Sequence, residues 1–289
     1  MTANPTDTVG SIAEPLEDLA WFAFRHADRF CDTETGCRDY HRFWSMLRHL
    51  DLDGRMPRGL EFFSRNFQTL SRGGDTIRVL LAGAADSGLA TLIATAAEMA
   101  GVTPSMLLVD RCQTPLRQNQ RLADHAGLDL QVRQGRLDEM DAENRDAVVT
   151  HNVMGFNSDS GRAAILHAAA RALRPGGRLL SIEFLSETRP SRAPEETAQL
   201  RRQFEVRQRA KGMDEALIAT LSEAAEAYWV LNLSRGPYPE DRLRAHLSAA
   251  GLHLVDLSYH RDTQRASPRS RPGPSNGRTH AYIVAERRD

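Results

Sequence analysis

From Ile77 onward the chain switches repeatedly between two hydrophobic periods. Ile77 to Ala82 (IRVLLA) is an apolar run of strand length that breaks at Gly83 into a turn of small residues. Leu89, Leu92, Ile93, Ala96, Ala97 and Ala100 then recur on one helix face, which predicts a helix over about Asp86 to Ala100 with Asp86 and Ser87 at its N-cap. The alternation repeats. SMLLV, Ser105 to Val109, is a second strand ending at Asp110, followed by a helix with Thr114 as cap and Pro115 as first helical residue, closing at Gly127. Leu128 to Val132 reads as a third strand with a loop from Gln134 to Asp141, and Ala147 to Thr150 as a fourth that opens onto HNVMGF. A helix over Ser160 to Leu173 runs into the turn LRPGG, Leu173 to Gly177, and Leu179 to Phe184 is a fifth strand. Repeated units of this length predict an α/β fold with a doubly wound parallel sheet.

The flanks follow a different pattern. Residues 12 to 72 show helical spacing in three segments, marked by Leu16, Leu19, Ala20 and Ala23, by Tyr40, Phe43, Trp44 and Leu47, and by Leu60, Phe63, Phe67 and Leu70. Ser71 to Asp75 reads as a linker, so a helical cap or lid is expected over 1–74 and the α/β domain over 75–289. A helical insertion, 187–234, interrupts that domain with a charged helix (Glu195 to Arg209) and a second one carrying Leu217, Ile218, Leu221, Ala224, Ala225 and Tyr228 on one side. PYPEDRLRAHLSAAGL, Pro237 to Leu252, is one more amphipathic helix. Leu252 to Tyr259 and Thr279 to Glu286 have β character and are expected to pair antiparallel. The stretch Arg261 to Arg278, rich in Pro, Ser and Arg, is expected to be an exposed connector.

Composition narrows the class. The length of 289 residues fits one elaborated α/β domain as well as two, and 41% hydrophobic with 26% charged residues reads as globular. No apolar run approaches a membrane span, and MTANPTDTVG lacks the basic and apolar regions of a signal peptide, so a cytoplasmic protein is expected. A net charge of -1 gives no global attraction to nucleic acid or membrane. Lys211 is the only lysine, which removes that side chain as a catalytic base. Cys31, Cys37 and Cys112 do not make a disulfide framework. Cys31, Cys37 and His41 have ligand chemistry, but the CxxC pairs of a zinc site are absent and no metal is expected. GxSxG, P-loop and HExxH motifs are also absent.

The glycine turn is the centre of the candidate chemistry. A strand feeding a helix through such a turn presents backbone N–H groups to an anionic or nucleotide-like ligand. Gly83, Ala85 and Gly88 fit a GxGxxG fingerprint with alanine in the middle, and Asp110 ends the second strand where a ribose-binding acid belongs. Alone, that pattern serves a dinucleotide equally well. LRPGG before the fifth strand, the PYPEDRLRAHLSAAGL helix and the terminal antiparallel pair make the chain resemble the class I S-adenosylmethionine-dependent methyltransferases, over about residues 75 to 185 and 236 to 287. The resemblance implies a seven-stranded sheet of order 3-2-1-4-5-7-6 with the last strand antiparallel. It implies S-adenosyl-L-methionine as cofactor, with Gly83, Ala84, Ala85 and Gly88 as its cradle and Asp110 on the ribose. Arg111, Gly135, Arg136 and Leu137 would then lie beside the adenine, and Thr150 and His151 would face the sulfonium. Leu81 and Ala85 depart from the family, in which an acid and a glycine are usual.

Around that cradle, His151 has the titration range of a general base. Phe30, Asn152, Glu183 and Tyr228 are candidates for the acceptor pocket. The aromatic and polar stretch Phe30 to Trp44 is expected to close as a lid, with Tyr40 and His41 as its catalytic candidates. The expected activity is in-line methyl transfer to a small-molecule acceptor, through oxygen, nitrogen or sulfur. Two alternatives remain at the level of sequence: an NAD(P)-dependent oxidoreductase using the same turn, and a cofactor-binding protein without catalysis. Nucleic acid is a weaker partner on charge grounds, and the apolar N-terminal helices could pair two copies into a homodimer.

Overall fold

The computed structural model describes residues 5–32, 37–49, 59–71, 76–139, 143–188, 191, 194–233, 236–261 and 279–288. Most of the expected linker at 71–75, and the expected connector from 262 to 278, lie outside the described residues. Three helices come first, α1 (Pro5–Phe30), α2 (Cys37–His49) and α3 (Leu60–Leu70). The alternating part follows as β1 (Thr76–Ala82), α4 (Gly88–Ala100), β2 (Thr103–Asp110), α5 (Gln113–Ala126), β3 (Leu130–Gln134), β4 (Arg145–His151), α6 (Asp159–Ala172) and β5 (Leu173–Glu183). The insertion supplies α7 (Pro194–Ala210) and α8 (Glu215–Leu233), and α9 (Glu240–Ala249), β6 (Leu252–Arg261) and β7 (Thr279–Arg287) close the chain. Among the described residues no helix is long and apolar enough to cross a membrane.

The strands form one sheet of order β3-β2-β1-β4-β5-β7-β6, in which β1 to β5 run parallel and β7 pairs antiparallel with both β5 and β6. Successive strand residues face opposite layers, as the pleat requires. Ile77, Val79 and Leu81 pack with α3, α4 and α5, while Leu80 and Ala82 pack with α6 and α9. Leu81 is therefore a core residue of the α4 side. By the same packing α3 belongs with the sheet through Phe62, Phe63 and Phe67. The first two helices join α7 and α8 in a second cluster built on Phe24, Phe43, Met46, Phe204, Leu221 and Trp229, while Leu19 of α1 also packs into the sheet-side core.

Three local expectations are corrected. LRPGG is drawn into the start of β5 as a bulge, since the register jumps from Arg145 opposite Leu173 to Ala147 opposite Arg178. A Cβ on Gly177 would stand 2.8 Å from the carbonyl of Arg145 and 2.9 Å from that of Arg174, so only glycine lets β4 approach there. Helix α4 begins at Gly88 and Ser87 makes no capping bond; Asp86 Oδ1 accepts the Gly88 N–H at 2.8 Å and satisfies the first turn instead. Helix α5 is entered from Cys112 rather than capped by Thr114, whose hydroxyl lies 2.9 Å from the sulfur of Cys31.

The arginine of LRPGG has its own task. Arg174 Nε donates to Asp146 Oδ1 at 2.5 Å, and Asp146 Oδ2 accepts from the backbone N–H of Arg78 at 2.8 Å, which locks β5, β4 and β1 together. Burial works against the charged carboxyl of Asp146, but Arg174 and the Arg78 N–H outweigh it and hold it below the usual carboxylate range. A depressed pKa stabilises the fold above the unfolded value and loses that contribution as pH falls through the folded one. Asp146→Asn is expected to cost about 2 kcal/mol near neutral pH. Its urea stability should converge on that of the unsubstituted protein below about pH 3. A constant difference across that range would contradict the assignment.

Candidate functional site

At the carboxyl ends of β1, β2 and β3 the backbone is stitched around one side chain. Gly83 has φ 82°, a left-handed conformation that glycine adopts at least cost, and its N–H donates to the carbonyl of Val109 at 2.9 Å. A Cβ there would lie 3.3 Å from Val153 and 3.9 Å from Asp110 Oδ2, so the turn keeps open a space that a side chain would fill. Asp110 Oδ2 accepts from the N–H of Ala84 at 2.9 Å and Oδ1 from that of Cys112 at 2.7 Å. The Asp110 carbonyl accepts from Gly135 at 3.0 Å. Burial pushes the Asp110 carboxyl up, against the charge of His41 and the two N–H donors.

The neighbours of Asp110 divide. Gly135 and Leu137 are half-buried beside this junction, and Ala84 packs against the core. Arg111 is exposed and gives its carbonyl to the side-chain amide of Gln134 at 3.0 Å. Arg136 is exposed and paired with Asp138 at 2.7 Å and Glu139 at 3.1 Å.

At the ends of β4 and β5 the structure separates residues that spacing alone had grouped. Thr150 is fully buried with its hydroxyl 2.5 Å from that of Ser181, and both reach Glu183 Oε1, at 3.4 and 3.3 Å. The same oxygen accepts from the N–H of Val153 at 3.2 Å, and Oε2 from that of Met154 at 3.1 Å. Thr150 and Glu183 thus fasten the short 3-10 turn Met154–Phe156 onto the sheet. The charge of Glu183 reaches Tyr238, whose hydroxyl is pushed up by burial first and by Glu183 second. His151 is half-buried, with Nδ1 3.4 Å from the side-chain nitrogen of Asn152. Asn152 adopts φ 56°, and its N–H donates to the carbonyl of Ile182 at 2.8 Å. A small cleft beside Asn152 is lined by Gly155, Glu183, Phe184, Ser186 and Gly236.

The helices expected to form a lid come from two segments that are distant in sequence. Tyr40 of α2 stacks on Trp44 at 5.8 Å, meets Tyr228 of α8 at 5.6 Å and turns an edge toward Phe156 at 5.5 Å. Phe30 is not in this group; it lies against Arg29 and Arg117, on the α5 side. His41, adjacent to Tyr40, points the other way and is buried, with Nδ1 3.2 Å from Cys37 Sγ and 3.6 Å from Cys31 Sγ. Burial opposes the charged ring, but Cys112 and Cys31 outweigh it and raise His41 to about 10. The Cys112 thiol is held far below its ordinary range by Cys31 and Cys37, and Cys37 is pushed far up by Cys112 and Cys31. Sequence reasoning missed Phe156, which no periodicity marks, and Cys112, which stands in no motif with the other two cysteines.

A β3-β2-β1-β4-β5-β7-β6 sheet with a glycine turn after β1 and an acid closing β2 is the Rossmann-like fold of the class I S-adenosylmethionine-dependent methyltransferases, and the fold together with the domain match below supports that activity with S-adenosylmethionine as cofactor. Over residues 80–177 the chain matches a family described as "Methyltransferase domain", which sets aside the oxidoreductase reading of the turn. No curated protein matches its sequence. Among solved structures, geranyl diphosphate C-methyltransferase from Streptomyces coelicolor A3(2), in complex with Mg2+, geranyl diphosphate and S-adenosyl-L-homocysteine, is similar with a TM-score of 0.51 at 13% identity. That match covers 79% of this chain and 77% of the other. Geranyl diphosphate methyltransferase in complex with SAM gives 0.50 at 13% identity, covering 89% and 92%. A structure described as a possible exported protein from Bordetella parapertussis gives 0.50 at 16% identity, covering 80% and 67%. At these identities the likeness is one of fold.

Proposed function

We propose that this methyltransferase acts on a small-molecule acceptor seated between the helical lid and the carboxyl ends of β4 and β5, with in-line transfer of the methyl group. The observation that carries the reading is the aromatic wall of Tyr40, Trp44, Tyr228 and Phe156, contributed by α2, α8 and the turn after β4. Such a wall suits a compact organic acceptor and excludes water from the strand ends. The cradle fits the cofactor: Gly83 leaves room where a Cβ would intrude, and each Asp110 oxygen keeps a lone pair beyond its one backbone donor. Gly83, Ala84, Asp110, Gly135 and Leu137 would hold it. When bound, S-adenosylmethionine supplies an already activated methyl on a sulfonium, so the chain's task is alignment and dehydration.

His151 is the group on hand to take a proton from the acceptor, and Asn152 and the adjoining cleft offer polar contacts to it. A cytoplasmic setting accords with three cysteines standing as thiols rather than bridges. Methyl-labelled S-adenosylmethionine offered to fractionated cell extract tests the reading. Label should enter the small-molecule fraction, and His151→Ala should lower kcat by about 100-fold while leaving binding of S-adenosylhomocysteine intact. Label confined to RNA or protein would overturn the proposal.

A further inference from the structure

The three cysteines converge on one histidine at the seam between lid and sheet. Cys31 follows α1, Cys37 and His41 lie one turn apart on α2, and Cys112 stands at the entry to α5. Cys31 Sγ is 3.3 Å from Cys112 Sγ and 3.6 Å from His41 Nδ1, and Cys37 Sγ is 3.2 Å from the same nitrogen. All four ligand atoms lie within 4.8 Å of one another, with Cys37, His41 and Cys112 buried and Cys31 half-buried. A tetrahedral zinc ion with Zn–S near 2.3 Å and Zn–N near 2.0 Å sets its ligand atoms roughly 3.5–3.8 Å apart, close to the spacing found. The sulfur pair is far outside the roughly 2.05 Å of a disulfide. The enclosed space suits a single ion; an iron–sulfur cluster, with several metal atoms, would hold its ligands farther apart.

We propose that Cys31, Cys37, His41 and Cys112 form a closed Cys3His zinc site that fastens the N-terminal helices to the strand end carrying Asp110. Four protein ligands leave no open position, so the site is structural rather than catalytic. Its surroundings are those of an oriented ligand set. The Thr114 hydroxyl lies 2.9 Å from Cys31 Sγ, and the N–H of Cys112 is held by Asp110 Oδ1 at 2.7 Å. The ion would thereby tie the first two helices to the residue two positions before Cys112. His41 is then a metal ligand and not a lid acid or base. The absence of CxxC pairs carries no weight here, because the fourth ligand arrives from α5 and pairs in space alone.

The metal site stands independently of the methyl-transfer reading; only its effect on cofactor binding rests on that reading. The full-length protein, purified without chelator from zinc-supplemented cells, should hold about one zinc per chain by plasma emission spectrometry. Titration with a mercurial thiol reagent should release that zinc in step with loss of the three thiols. Replacement by cobalt(II) should give the intense visible absorption of a tetrahedral thiolate site. Cys31→Ser, the mildest change because Cys31 is half-buried, should lower zinc retention at least 10-fold on dialysis and alter the cobalt spectrum even where the variant folds normally. Metal-free protein with three freely titrating thiols, a Cys31–Cys112 disulfide in protein prepared without oxygen, or full zinc retention in a folded Cys31→Ser/Cys112→Ser variant would each overturn the site. S-adenosylhomocysteine binding unchanged by zinc release would overturn only the fastening role.

Discussion

Asp110→Ala is expected to abolish measurable binding of S-adenosylhomocysteine by calorimetry. Under the proposed reading the carboxylate accepts from both ribose hydroxyls while already holding the N–H groups of Ala84 and Cys112. Hydrogen bonds to an ionised group contribute roughly 1.5–3 kcal/mol each, so losing the two ribose contacts alone amounts to roughly 3–6 kcal/mol, or about 100- to 10,000-fold in affinity. The same substitution frees the N–H groups that set the approach of the glycine turn and the entry to α5. Asp110→Asn keeps the shape but turns one acceptor into a donor. It should retain the fold by circular dichroism and still lose at least about 10-fold. An affinity within a few-fold of the unsubstituted protein for either variant would remove Asp110 from the cofactor site.

The second large effect concerns stability. Glu183 is buried to 1% exposure and gathers two backbone N–H groups and two hydroxyls that also bond one another. Glu183→Leu leaves the two N–H groups and one of the hydroxyls without an acceptor in a dry site, where the expected cost is about 4 kcal/mol. Glu183→Gln conserves the volume but turns an NH2 group toward N–H and O–H donors, and about 2–3 kcal/mol is expected. Urea unfolding should show the midpoint falling with the slope unchanged. Because Glu183 holds the turn Met154–Phe156, the milder variant should also raise KM for the acceptor more than it weakens S-adenosylhomocysteine. A midpoint shift below about 1 kcal/mol would mean that water replaces the carboxylate.

Much of the sheet was legible because it rests on local signals. The alternation of strand-length apolar runs and helix-spaced faces between Ile77 and Glu183 is written residue by residue, and the hydrophobic period of each segment survives burial on either layer. The strand order required more. It followed from LRPGG and the terminal strand pair by resemblance, and the structure adds the reason for two LRPGG positions: Arg174 pairs with Asp146, and Gly177 lets β4 come close.

The candidate site was legible only in part. Gly83 and Asp110 were readable because a turn and a strand end are local features, and both stand at the junction of three loops. Thr150 and Glu183 carry the right chemistry at the right strand ends, yet their side chains turn into a buried network, which no spacing records. Phe30 and Tyr40, ten residues apart in one aromatic stretch, face different neighbours because α1 ends between them.

What lies in the chain as periodicity and turn chemistry is the α/β sheet, its glycine cradle and the acid that closes β2. Tertiary packing alone brings α2 against α8 to make the aromatic wall, and sets Cys112 beside Cys31, Cys37 and His41. The difference is physical. Strands and helices arise from neighbours a few residues apart, whereas side chains more than seventy positions distant meet only when the burial of several apolar faces fixes where each element sits.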